Sequence, residues 1–109
     1  ENMDAIVNPA NERLWTHGSG VCGAVFKACG GEQMEKACNG ITSKCDDNRI
    51  PTGQTAVTSS FKLKQLSRIL HTVAPCEQNN EDLISCYISS LETCVLLGIR
   101  NVAFPCVGT

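Results

Sequence analysis

Hydrophobic and polar positions fall into short blocks along this chain, and the blocks predict the order strand, helix, helix, two strands, helix, strand. Asp4-Ala5-Ile6-Val7 is an apolar run ended by Asn8-Pro9, which reads as a buried strand entering a loop. Ala10 to His17 has no clear period and reads as loop. Beyond Gly18-Ser19-Gly20, the residues Val21, Ala24, Val25, Ala28 and Cys29 recur at the spacing of one helical face, and Gly30-Gly31 stops that helix. A second short helix, Glu32 to Cys38, gathers Met34, Ala37 and Cys38 on one side and leaves Glu32, Glu35 and Lys36 to solvent, with Asn39 and Gly40 as its end. Gly40 to Asn48 is polar and irregular, a surface loop, and Pro51-Thr52-Gly53 is a turn signal. Thr55-Ala56-Val57-Thr58 and Arg68 to Ala74 are rich in strand formers, the second stopped by Pro75. Asn79 or Asn80 caps a helix whose first turn carries Glu81 and Asp82, acids suited to the positive end of its dipole. The apolar face expected there is Leu83, Ile84, Tyr87, Ile88, Leu91, Cys94 and Val95, with Gly98 as the stop. Asn101 to Phe104 is the last strand.

Long crossovers between apolar strands favour a mixed or parallel sheet covered by helices, an α/β fold. The length, 109 residues, allows a single domain spanning 1–109 with a thin stability margin. A formal net charge of −2 without a Lys/Arg cluster argues against nucleic-acid binding through phosphate contacts. No apolar run approaches membrane-spanning length. Eight cysteines raise the question of a disulfide framework. There is no C-x-x-C pair and no Cys/His zinc spacing, and Cys29 and Cys94 fall on apolar faces, so reduced core cysteines are expected. Neither a metal nor a cofactor is implied.

The candidate chemistry begins at Gly18-Ser19-Gly20. Glycines just ahead of a helix let a ligand approach the orphan N–H groups and the positive end of the dipole, which together suit a phosphate. Gly18, Gly20 and Gly23 spell G-x-G-x-x-G, but a long loop separates them from the strand and no acidic strand end follows in register, so the dinucleotide fingerprint fails. The Gly-Lys-Ser/Thr of a phosphate loop is missing as well. Asn8-Pro9-Ala10-Asn11 sits where open α/β sheets bind ligands, beyond a strand end, and an asparagine there can donate to and accept from sugar hydroxyls.

Taken together, Asp4-Ala5-Ile6-Val7-Asn8-Pro9-Ala10-Asn11 and His17-Gly18-Ser19-Gly20-Val21-Cys22-Gly23-Ala24 closely resemble the macro domain family. Pro51 to Thr55, Ile69 to Pro75, Cys86-Tyr87 with Ser90-Leu91, and Gly98 to Pro105 extend the resemblance in order along nearly the whole chain. It implies a three-layer α/β/α fold with a mixed sheet and an ADP-ribose cleft at the strand ends. The family's first and last elements, including the upstream acid that recognises adenine, fall outside these residues. By resemblance Asn11 contacts the distal ribose, and Gly18, Ser19, Gly20, Val21, Cys22, Gly23 and Ala24 wrap the pyrophosphate. Pro105, Cys106 and Val107 line the adenosine side, and Gly108 and Thr109 begin a second phosphate loop. The implied partners are ADP-ribose and mono-ADP-ribosylated proteins, in an intracellular setting, cytoplasmic or nuclear.

Many members hydrolyse the bond between ADP-ribose and a modified side chain, and Asn11 would then be the catalytic residue that orients the ribose. Cys22 stands where many hydrolytic members carry an aspartate, and Pro9 replaces a usual small residue. An ADP-ribose reader without turnover and a purely structural module are the alternatives. So is a thiol enzyme with Cys22 as nucleophile and His17 or His71 as base, against which Cys22 is a packing residue and His71 a strand histidine satisfied by its neighbours. Trp15, between the two motif segments, is read as packing.

Overall fold

The computed structural model describes residues 4–14, 20–73 and 80–104, with the backbone alone at 20–22 and 80. Its elements are strand β1 (Ala5–Ala10), helices α1 (Gly20–Ala28) and α2 (Glu32–Thr42), strands β2 (Thr55–Ser59) and β3 (Arg68–Val73), helix α3 (Asn80–Leu97) and strand β4 (Val102–Ala103). The sheet order is β2-β3-β1-β4. β1 runs parallel to both β3 and β4, and β2 is antiparallel to β3, so the sheet is mixed as expected.

Strand alternation sorts the side chains onto two faces. Ala10, Ile69 and Val73 join Val25, Phe26, Cys29, Met34 and Cys38 in one core under α1 and α2. Ala5, Val7 and Leu70 pack with Cys94 of α3 in a second core on the other face. Helices on both sides of the sheet make the three layers.

Several boundaries differ from the sequence reading, each for a physical reason. β1 does not stop at Asn8-Pro9 but continues to Ala10. A proline lacks the N–H of a ladder, yet β4 pairs only Ala5 and Ile6, so at Pro9 the described sheet bonds β1 on the β3 side alone. α1 ends as expected: Gly31 N–H donates to Phe26 C=O at 2.8 Å and Gly30 N–H to Lys27 C=O at 3.2 Å, with Gly30 at φ +92°. That is the paired closure of a left-handed helix cap. The buried face of α1 is Val25, Phe26 and Cys29, while Ala24 and Ala28 are exposed, because the bulk of Phe26 turns the helix toward the sheet. α2 passes through Asn39 and Gly40 to Thr42, burying Met34, Cys38 and Thr42 one turn apart. That packing outweighs the ~1 kcal/mol a helical glycine costs. The 40–48 segment accordingly holds the last helical turn and a 3₁₀ turn at Asp46–Asn48, with Glu32, Glu35 and Lys36 exposed as read.

α3 departs most. The residues it turns to the sheet are Cys86, Ser90 and Cys94, whereas Ile84, Ile88 and Leu91 are at least half exposed and Val95 is 82% exposed. The expected apolar face thus looks mostly outward, apart from the buried Cys94 and the half-buried Leu83. Small residues let the helix approach closely, and hydroxyls fill the contact. Thr72 Oγ1 and Ser90 Oγ lie 2.6 Å apart, and Thr55 Oγ1 lies 2.7 Å from Ser89 Oγ and 2.9 Å from Thr72 Oγ1.

Candidate functional site

The topology parts two chain connections at the carboxyl ends of the central strands β1 and β3. The chain leaves β1 toward α1 on one face and leaves β3 toward α3 on the other. Where connections from neighbouring parallel strands part in this way, the space beyond their carboxyl ends is the usual ligand site of an open α/β sheet.

Asn11 is the first residue past β1 and is exposed at that strand end. Its position is fixed by a short turn. Arg13 N–H donates to Asn11 Oδ1 at 3.0 Å and Leu14 N–H to the Asn11 carbonyl at 3.0 Å. Ile50 N–H reaches across to the Glu12 carbonyl at 2.7 Å, and Glu12 pairs with Arg49 at 3.2 Å. A hollow of about 340 Å³, lined by Glu12, Cys45, Asp46, Asp47, Arg49 and Ile50 among others, adjoins this turn.

α1 starts at Gly20, so the glycine pattern does lead a helix. No acidic residue occupies its first turn, so none of its own carboxylates offsets the positive end of its dipole. Val21, Cys22, Gly23 and Ala24 lie in that helix, Gly23 half-buried and Ala24 exposed. Gly18 and Ser19, with Trp15 and His17, lie outside the described residues, as do Pro105, Cys106, Val107, Gly108 and Thr109. Of the expected site residues, the described structure therefore places Asn11 and the first turn of α1.

Behind the site lies a buried polar chain that sequence reading passed over. Asn8 and His71 are register partners in β1 and β3, with Asn8 Nδ2 3.1 Å from His71 Nδ1. His71 Nε2 lies 2.9 Å from Thr58 Oγ1, whose hydroxyl also meets Met34 Sδ at 3.2 Å and the Ser59 carbonyl at 3.0 Å. An amide nitrogen only donates, so Nδ1 accepts and the ring proton sits on Nε2, donated to Thr58. Phe26 stacks on the ring at 5.7 Å between centroids. Burial without a charged partner pulls the His71 pKa down from 6.5 to about 4. His71 is thus a neutral strand histidine with both nitrogens engaged, and not a surface base for a thiol.

The described cysteines Cys29, Cys38, Cys45, Cys86 and Cys94 are free. Burial raises the thiol pKa at Cys29, Cys86 and Cys94, with the Asp82 carboxylate adding to it at Cys86, which makes them packing residues rather than nucleophiles. Among the described residues, no group of three or more His, Cys, Asp or Glu is placed to hold a metal ion. No helix among them is long and apolar enough to cross a membrane.

Sheet and helices together define a three-layer α/β/α domain with a mixed sheet. The profile of the Macro domain family matches residues 7–109. A macro domain-containing protein of Streptomyces griseus is 36% identical over 113 residues, covering 100% of this chain and 62% of its own length. One from Methanosarcina mazei is 38% identical, covering 98% of this chain and 55% of its own length. A variant of the Oceanobacillus iheyensis macrodomain, determined with ADPR, superposes with a TM-score of 0.88 at 34% identity, over 98% of this chain and 59% of that one. The Trypanosoma brucei macrodomain in complex with ADP-ribose gives 0.80 at 32% identity, over 97% of this chain and 42% of that one. The chain belongs to the macro domain family. It spans about three-fifths of the length of the first of these relatives.

Proposed function

We propose that this chain forms the central part of an ADP-ribose-binding site that engages free ADP-ribose or mono-ADP-ribosylated protein. The observation that carries the reading is Asn11, exposed at the end of β1 with its carboxamide oxygen held by the Arg13 N–H. Held in this way, the amide can hydrogen-bond a ribose hydroxyl, while the start of α1 at Gly20 supplies N–H groups for a pyrophosphate. The structures of relatives determined with ADPR and with ADP-ribose support the choice of ligand. In this reading Gly18, Ser19, Gly20, Val21, Cys22, Gly23 and Ala24 wrap the pyrophosphate, and Pro105, Cys106, Val107, Gly108 and Thr109 complete the cleft. Free thiols at five described cysteines suit a reducing, intracellular compartment.

Hydrolysis of the ADP-ribosyl–protein bond is the second reading, favoured by the same fixed carboxamide. Asn11 would orient the distal ribose, a water would attack its anomeric carbon, and the protein side chain would leave. With Cys22 in place of an acid, the water's proton would pass to the substrate's own phosphate.

Calorimetric titration with ADP-ribose, with AMP as control, tests binding. Asn11→Ala is expected to weaken ADP-ribose about tenfold, on the order of one lost hydrogen bond, and to leave AMP unchanged. A release assay on mono-ADP-ribosylated protein separates hydrolase from reader. Turnover that survives intact in Asn11→Ala would rule out the proposed mechanism.

A further inference from the structure

Leu14 is a bulky residue at φ +53° whose side chain is fully buried. Leucine rarely adopts the left-handed region, and such strain persists only where the surroundings over-determine it. Here the surroundings are visible. The side chain sits in the core formed by Ala10, Phe26, Ile50, Val73 and their neighbours. The Leu14 N–H closes the turn onto the Asn11 carbonyl, and within that turn Arg13 N–H holds Asn11 Oδ1. The turn is also tied from outside, through Ile50 N–H on the Glu12 carbonyl. A leucine free to choose would relax to negative φ and open the turn; the buried side chain prevents it.

We infer that Leu14 is a positioning residue for Asn11. Its burial forces the left-handed turn, the turn puts the Arg13 N–H onto the Asn11 carboxamide oxygen, and the carboxamide is held in one orientation at the strand end. The inference rests on the reading above, in which Asn11 meets the distal ribose. It has a signature that general damage lacks: only ligands carrying that ribose should sense Leu14.

The test compares the whole protein with Leu14→Gly, which removes the anchor and accepts positive φ, and with Leu14→Met, which keeps the anchor. Leu14→Ala, which shortens the anchor, serves in addition should the glycine variant fail to fold. ADP-ribose and ADP are titrated against each, and the order of the Asn11 side-chain NH₂ is read by nuclear magnetic relaxation. Leu14→Gly is expected to weaken ADP-ribose about tenfold while ADP stays within about twofold, and to loosen the Asn11 carboxamide. Leu14→Met should match the parent in both. Equal weakening of ADP and ADP-ribose, or an Asn11 carboxamide as ordered in the glycine and alanine variants as in the parent, would overturn the inference. Should the parent bind neither nucleotide, the ADP-ribose reading fails, and the carboxamide order alone decides the role of Leu14.

Discussion

The two faces of the sheet solve the same problem with different materials. Under α1 and α2, large side chains meet: Phe26, Met34, Leu14, Ile69 and Val73 are all at most 2% exposed. Under α3 the sheet side of the helix is Cys86, Ser90 and Cys94, and the contact with β2 and β3 is a cluster of hydroxyls from Thr55, Thr72, Ser89 and Ser90. α3 carries its large aliphatics away from the sheet, with Val95 and Leu96 more than four-fifths exposed. The first face is held by apolar burial, which is non-directional and scales with the area removed from water. The second adds to a smaller apolar cluster of Ala5, Val7, Leu70 and Cys94 a close approach and hydrogen bonds that must all be satisfied, because a buried hydroxyl without a partner costs free energy. One lesson is that helix amphipathicity need not point at the nearest sheet. α3 is apolar over most of its circumference, the pattern of a helix with apolar neighbours on more than one side.

The sharpest way to break this comparison is to cut into the first face. Phe26→Ala removes a buried ring that also stacks on His71. The expected loss is about 3–5 kcal/mol, enough to unfold a small domain of marginal stability. Chemical denaturation followed by circular dichroism would show it. A loss below about 1 kcal/mol would mean that the α1–α2 core is not the main source of stability.

The next largest effect is a pH dependence confined to the same face. His71 is buried there as the neutral ring, with its pKa pulled down from 6.5 to about 4 by desolvation. Between those two values the unfolded chain takes a proton that the folded chain refuses, so stability is full above about pH 6.5 and falls as the pH drops toward 4. The loss over that window is on the order of 3 kcal/mol. His71→Gln should be less stable at pH 7 but should lose much of this slope. The check is the difference between denaturation midpoints of parent and variant at several pH values. Parallel pH profiles for the two proteins would show that His71 is not the group responsible.

How much of this was legible in the sequence follows from the kind of signal each feature leaves. Periodicity and punctuation gave the element order, because Gly30-Gly31 and Asn80-Glu81-Asp82 mark a helix end and a helix start by local chemistry. Asn11 and the glycine-led helix were legible as motifs for the same reason. The continuation of β1 through Asn8-Pro9 was not, since whether a strand can hold a proline depends on which neighbour bonds it there. The Asn8–His71–Thr58 chain joins positions up to 63 residues apart, and no local pattern announces such a pairing. Leu14 was missed because leucine has no preference for positive φ; the core imposes that conformation. The facing of α3 was misread because a helix apolar on most sides offers period 3.6 in more than one phase.

That last misreading supplies the mildest test of the comparison. Val95 is 82% exposed, so replacing it by serine removes little apolar surface from any buried contact. In a chain of these 109 residues Val95→Ser is expected to shift stability by less than about 0.5 kcal/mol, within the range of ordinary surface substitutions. The neighbouring Cys94→Ser changes a side chain that is 5% exposed and packs with Ala5, Val7 and Leu70, and should cost more, about 1–3 kcal/mol, by burying a hydroxyl in an apolar cluster. The contrast between these adjacent positions fixes the rotation of α3 about its axis. Equal costs, or a larger one at Val95, would mean that α3 presents its aliphatic side to a partner surface and that the hydroxyl contact with β2 and β3 is the weaker of its two faces.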